Sequence, residues 1–275
     1  MVATTTFLAD IAQNVAGGRA KIESLIPIGV EPHGFEPTAA DIRTVSDADV
    51  LIVNGHGMEA FLDKLLSNAG GKRTVIEASS GLAVRTPQPG ELTQDEHQEG
   101  DPHFWLDPNL VITYTKNIRD GLSSADPDGA GLYATNAQAY IDKLQELDIW
   151  VRQQVAAIPQ EQRLLVTNHE TFGYFADRYG FHVVGTIVPS ISPEASPSAQ
   201  QLVRLVEQIK KTGAPAIFLE TGTNPKVAEQ VSKDAGVKVV TGLYTHSVSE
   251  PKGEAPTYLE MIRYDVRAIV GALRQ

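Results

Sequence analysis

The chain has 275 residues, room for two domains at roughly 150 residues each or one large one, and its 42% hydrophobic and 21% charged content is that of an ordinary globular protein. A formal net charge of −11 excludes a fold-wide basic face for nucleic acid and argues against docking on anionic lipid. With no cysteine there is no disulfide, no thiolate metal site and no cysteine nucleophile.

Residues 1–7 show no basic region followed by an apolar stretch and a cleavage site, as expected either of a cytosolic protein or of an exported one whose signal has been trimmed. No window approaches the roughly 18 uninterrupted apolar residues of a membrane helix. Residues 22–28 (IESLIPI) read as a strand that stops at Gly29, and 38–48 as a helix with Ile42 and Val45 on one face. Residues 49–55 are a near-continuous apolar run closed by a turn, the kind a parallel sheet buries on both faces, and 73–77 look like another strand. Residues 86–100 are rich in Pro, Gly, Gln and acids without periodicity, and are read as a flexible surface loop.

Residues 126–129 (DPDG) form a stop-and-start signal. Beyond them, 132–158 run without Gly or Pro, with Tyr133, Ala137, Tyr140, Leu144, Leu147, Val151 and Val155 on one helical stripe. At about 1.5 Å per residue this helix spans roughly 40 Å, long enough to bridge two lobes. The second half repeats the alternation: strand 164–167, helix 170–179 ending at Gly180, strand 183–188 and helix 199–212. Strand 216–220, helix 225–235, strand 237–240 and a closing helix 258–273 complete it. Strands alternating with helices predict an α/β fold with mostly parallel sheets.

Histidine is the informative residue. Four of the seven stand on loops or helix starts, where an open parallel sheet places its binding crevice. His33 lies in Glu31-Pro32-His33-Gly34, and His103 in Asp101-Pro102-His103-Phe104. His169 follows a strand and is expected to open a helix, whose dipole disfavours imidazolium; His246 follows strand 237–240. His33 and His103 are separated by about as much chain as His169 and His246, as two lobes giving two ligands each would require. Of the others, His182 is read as structural, His56 as supporting a turn between two glycines, and His97 as part of a solvated acidic loop, with weak metal capture as the alternative.

Six stretches in order resemble one family: EPHGFEPT (31–38), VNGHGMEAFLDKL (53–65), DPHFWLDP (101–108), the helix entry at 126–148, TNHETFGYFADRYGF (167–181) and FLETGTNPKVAEQVSKDAGVKV (218–239). The chain resembles the solute-binding proteins of zinc and manganese ABC transporters, the cluster A-I group of ZnuA-, TroA- and PsaA-like proteins. The resemblance implies two Rossmann-like α/β lobes, 1–129 and 159–275, joined by one long rigid linking helix over 130–158, with one metal ion in the cleft between the lobes. Family ligand positions match His33, His103 and His169. The fourth is normally an aspartate, and its place holds His246.

An all-nitrogen set suits Zn²⁺, Cu²⁺, Ni²⁺ or Co²⁺ better than Mn²⁺, so zinc is the expected ion and manganese the alternative. Four neutral ligands leave two positive charges uncompensated. Glu220, at the end of its strand, is the candidate to supply negative charge, as partner to a ligand or as a substitute ligand. The resemblance further implies an extracytoplasmic monomer, periplasmic or lipid-anchored, that meets a membrane permease and is not an enzyme; an adhesin using this fold is a third reading, because fold does not fix biology. The rival from another class is a zinc hydrolase. It would need three ligands, an open water position and a nearby base, and the chain has no HExxH helix. A G-x-S-x-G elbow and a glycine-rich loop after the first strand are also absent.

Overall fold

The computed structural model describes residues 1–85, 100–188 and 196–274. Apart from Gly100, the irregular segment expected at 86–100, with His97, lies outside the described residues. The chain forms two compact units. One comprises Met1–Ala83, Pro108–Asp148 and His246–Glu260; the other comprises Val84–Asp107, Ile149–Thr245 and Met261–Gln275. Each unit is thus discontinuous in sequence, unlike the contiguous limits 1–129, 130–158 and 159–275: the segment with His103 belongs to the second unit and the segment with His246 to the first.

In the first unit, β1 (Val2–Ala3), β2 (Glu23–Ser24), β3 (Val50–Val53) and β4 (Thr74–Glu77) form an all-parallel sheet in the order β2-β1-β3-β4. β3 is VLIV, buried at every position, as the unbroken apolar run requires. Its Leu51 and Val53 pack with Val45, Phe61 and Leu65, the last three set on or beside α2 (Ala39–Ser46) and α3 (Leu62–Ala69). Burial of each such side chain contributes about 1.5–3 kcal/mol. The α2 helix starts where Thr38 accepts from the Ala40 and Asp41 amides while Asp41 accepts from the Thr38 amide, a capping box that one sequence stretch supplies by itself.

Two elements precede the first strand expected from the sequence: β1 and α1 (Thr6–Ala16). Only Glu23–Ser24 of the expected strand 22–28 is regular, yet its ladder continues as Leu25 N–H donates to Ala3 O (2.8 Å) and Ile26 N–H to Thr4 O (2.9 Å). Pro27 has no amide hydrogen, and the ladder stops there. The helices α3 and α4 (Pro108–Ala125) also went unmarked in the sequence. α4 buries Val111, Tyr114, Ile118 and Leu122, and at Gly121 a Cβ would lie 2.5 Å from Ile76, so glycine permits its close approach to β4. α5 (Ala130–Val155) is the long helix, and its stripe from Tyr133 to Val155 is buried as expected.

In the second unit, β5 (Leu164–Thr167), β6 (His182–Thr186), β7 (Ala216–Glu220) and β8 (Lys238–Leu243) are again all parallel, in the order β6-β5-β7-β8. Val166, Ile217 and Leu219 from the sheet pack with Leu205 and Ile209 of α7 (Ala199–Thr212) and Val231 of α8 (Lys226–Ala235). Ser198 and Gln201 close a capping box at the start of α7, and Gly213 ends it in the left-handed region, φ 75°. α9 (Tyr258–Leu273) closes the chain. In this order the second strand of the unit lies outside the first and the third inside it, so β5 and β7 flank the point where the connections diverge. Their carboxyl ends are where an open α/β sheet binds.

A buried acid in the first unit has a measurable consequence. Asp10 on α1 accepts from the Tyr258 amide (2.9 Å), and burial pushes its carboxyl up to about 6. A carboxyl that resists ionisation in the fold favours folding at low pH. Its contribution is lost as pH rises from the unfolded value near 3.8 through about 6. Asp10→Asn keeps an oxygen for the Tyr258 amide and carries no charge. The metal-free variant should therefore melt above the wild type at pH 7.5, with the gap closing toward pH 4. A melting series showing the same gap at both pH values would remove Asp10 as its source.

Candidate metal centre

Both acid-proline-histidine tripeptides fold the same way locally. In each, the carboxylate two residues ahead accepts the histidine's own amide: Glu31 Oε1 from His33 N (3.1 Å) and Asp101 Oδ1 from His103 N (3.0 Å). The intervening proline fixes φ and leaves no competing amide. The two acids differ by one methylene, and their remaining reach differs accordingly. Asp101 Oδ1 lies 2.7 Å from Nδ1 of its own His103, whereas Glu31 Oε2 lies 3.7 Å from Nδ1 of His246.

In the first unit His33 is half-buried and His246 buried. Their rings stand edge to face with centroids 5.3 Å apart, and ring nitrogens approach within 4.8 Å. The turn after His246 is stapled at Ser247, whose Oγ accepts from Gly29 N (3.0 Å) and Thr6 Oγ1 (3.2 Å). Val248 N–H donates to Thr6 Oγ1 at 3.0 Å. These bonds hold the approaches to His33 and His246 to the start of α1.

In the second unit His103 and His169 are fully buried, with ring centroids 5.4 Å apart, edge to face. His103 precedes the short 3-10 turn Phe104–Leu106, and its ring packs 5.1 Å from that of Trp105. Tyr174 on α6 (Gly173–Tyr179) donates to Asp101 O (2.8 Å) and accepts from Arg85 N (3.2 Å). Gly173 leaves space for the Arg85 guanidinium, which a Cβ would meet at 2.6 Å and which pairs with Asp177 at 2.9 Å. Burial pushes the Asp101 carboxyl up to about 7, against the pull of the His103 amide and of Arg85.

His169 sits just past β5, as expected, but not at a helix start. Thr171 N and Thr167 Oγ1 both donate to His169 O at 2.9 Å, closing a turn that postpones α6 to Gly173. The ring therefore does not stand at the amino end of a helix dipole. Its immediate electrostatic partner is Glu220, at the carboxyl end of β7, with Oε1 2.6 Å from Nδ1 of His169. The other oxygen, Oε2, accepts from Thr245 Oγ1 (2.7 Å). Thr171 Oγ1 also lies 2.7 Å from Nε2 of His169.

The structure thus pairs His33 with His246 in one unit and His103 with His169 in the other, and sets Glu220 behind His169. His182 opens β6 at an exposed position, and His56 occupies a positive-φ turn (49°) between Gly55 and Gly57. A carboxylate at Nδ1 of an imidazole fixes the tautomer and leaves the Nε2 lone pair to bind a cation. Asp101 stands in that relation to His103, and Glu220 to His169, whose Nε2 also has Thr171 Oγ1 beside it; Glu31, at 3.7 Å from Nδ1 of His246, is a nearby charge and not a hydrogen-bond partner. The sequence reading singled out Glu220 and passed over the two others, although the repeated acid-proline-histidine spacing was there to be noticed.

An α/β chain of two units, each built on a four-stranded parallel sheet, with imidazole pairs flanked by carboxylates, defines a metal-binding protein of the solute-binding kind. The family described as "Zinc-uptake complex component A periplasmic" matches residues 1–272, and the chain belongs to that family. Among its relatives, the manganese-binding lipoprotein MntA of Halalkalibacterium halodurans is 38% identical over 275 residues, covering 100% of this chain and 88% of the relative. The iron-binding protein YfeA of Yersinia pestis is 35% identical, covering 100% of this chain and 86% of its own. The periplasmic zinc-binding protein TroA of Treponema pallidum superposes with a TM-score of 0.88 at 29% identity, covering 100% of this chain and 98% of its own. The general role read from the sequence, capture of a divalent transition-metal ion outside the cytoplasm for an ABC permease, is the family's. No helix among the described residues is long and apolar enough to cross a membrane.

Proposed function

We propose that His33, His103, His169 and His246 bind one divalent ion together, zinc in preference to manganese, and that the protein surrenders it to a membrane permease without chemical turnover. The observation that carries this reading is the carboxylate behind each of three imidazoles: Asp101 at 2.7 Å, Glu220 at 2.6 Å and Glu31 at 3.7 Å. Three acids more than offset the two charges of the ion, while Asp101 and Glu220, each at hydrogen-bond distance from an Nδ1, favour presenting the other ring nitrogen to it. Nitrogen ligation ranks zinc well above manganese. Four protein ligands leave no open position for a catalytic water, which argues against a zinc hydrolase.

Manganese is the second reading. A manganese-binding relative is 38% identical, and Glu31 and Glu220 are carboxylates close enough to His246 and His169 to offer oxygen. His246 separates the two readings. His246→Asp restores a hard, anionic ligand at the position where the family normally carries aspartate. Measured side by side by competitive titration, this variant should gain manganese affinity relative to zinc. His246→Ala should lose zinc affinity without that gain. An aspartate variant with an unchanged zinc-to-manganese ratio would take His246 out of the ligand set and make Glu220 the better choice.

A further inference from the structure

The chain leaves the second unit and enters the first between Thr245 and His246. Thr245 is 1% exposed and bonded through both its side chain and its backbone. Its Oγ1 donates to Glu220 Oε2 (2.7 Å), and Glu220 Oε1 holds Nδ1 of His169 at 2.6 Å. Its carbonyl accepts from Trp105 Nε1 (2.6 Å), and the Trp105 ring packs 5.1 Å from that of His103. Its next covalent neighbour is His246, and the two residues after that are stapled to Thr6 and Gly29. One residue therefore meets the supports of two histidines and is bonded to a third.

We propose that Thr245 is a positioning residue for ion binding: it ties the supports of His103, His169 and His246 together, so that these three imidazoles take up and give up the ion as one unit. The inference rests on the four-histidine reading above. A threonine is suited to the place. Its hydroxyl supplies the donor that Glu220 Oε2 requires, its methyl fills buried space, and β-branching restricts χ1 so that the hydroxyl stays aimed. Release would then need two buried hydrogen bonds to break together, which slows loss of the ion to water.

The test uses Zn²⁺ as probe and three variants of the full chain. Thr245→Val keeps shape and removes the donor to Glu220. Thr245→Ser keeps the donor, and Trp105→Phe removes the bond to the Thr245 carbonyl. Loss of such a supporting bond typically weakens metal affinity about 10–100-fold. Thr245→Val should fall in that range with a correspondingly faster release rate, Thr245→Ser should recover to within about 3-fold of wild type, and Trp105→Phe should also release faster. Combined with Glu220→Gln, Thr245→Val should cost less than the sum of the two single effects, because both act on His169 through the same Glu220 side chain. Serine rescue distinguishes positioning from a general loss of packing. If the valine variant does not fold, the serine and phenylalanine variants decide. A valine variant binding as wild type, a serine variant as weak as valine, or a phenylalanine variant releasing no faster overturns the proposal. Failure of the wild type itself to bind one zinc per chain would instead overturn the four-histidine reading.

Discussion

His169→Ala should weaken zinc binding by about two orders of magnitude. Zinc held by four protein ligands is bound with roughly 10–16 kcal/mol, or about 3 kcal/mol for each ligand if shared evenly, and every 1.4 kcal/mol is tenfold in affinity. His169 is the severe case among the four because its removal also strips Glu220 Oε1 of the imidazole 2.6 Å away, leaving an anionic oxygen in a site that is 6% exposed. The metal-free variant should accordingly melt lower as well. His182→Ala is the matched control: it removes an imidazole from the same unit at an exposed strand position, and zinc affinity should not move. Competitive titration against a chelator of known strength measures both. A His169→Ala protein within about 3-fold of wild type would mean that the ion does not touch this ring.

The contrast between His169 and His182 shows what the sequence reveals and what it hides. β5 and β7 are apolar runs ending in polar residues, so the placement of His169 and Glu220 at strand ends is legible in one dimension, whereas the pairing of β5 with β7 that makes those ends adjacent is not. Long stripes and strong caps are equally plain: α7 with its Ser198–Gln201 box and α5 with its buried stripe stand within two or three residues of their expected limits. The start of α6 was misplaced because Thr167 and Thr171 capture the His169 carbonyl, a local competition that periodicity does not register. β1 is only two residues long and has no pattern of its own; its register is set by neighbours β2 and β3. The pairing of Glu31 with His246 joins positions far apart in sequence, and depends on a glutamate being one methylene longer than the aspartate at the equivalent place before His103. Thr245 is hidden for a similar reason, since its importance comes from three partners, Trp105, Glu220 and His246, of which only the last is near it in sequence.

Acid should empty the site steeply. An imidazole binds an ion only when neutral, and free histidine takes up its proton near 6.5, so each ligand that must lose a proton adds one power of ten in affinity per pH unit below that value. Two such ligands between pH 6.5 and pH 5 cost roughly three orders of magnitude. Asp101 extends the window upward. Burial holds its carboxyl at about 7 in the metal-free protein, and a divalent ion on the far side of His103 favours the ionised form, so ion binding expels that proton too. The sign is the same for both groups: protons bound in the metal-free state oppose the ion, and affinity falls with falling pH, beginning near 7 and steepening below 6.5. A site of carboxylate oxygens with ordinary acid strength would behave otherwise, holding its ion to about pH 5 before protons compete. Calorimetric titration of zinc in buffers of different ionisation enthalpy counts the protons directly. More than one proton released per zinc at pH 6 is expected. A flat affinity from pH 7 to pH 5, with no proton released, would show that imidazoles do not carry the ion.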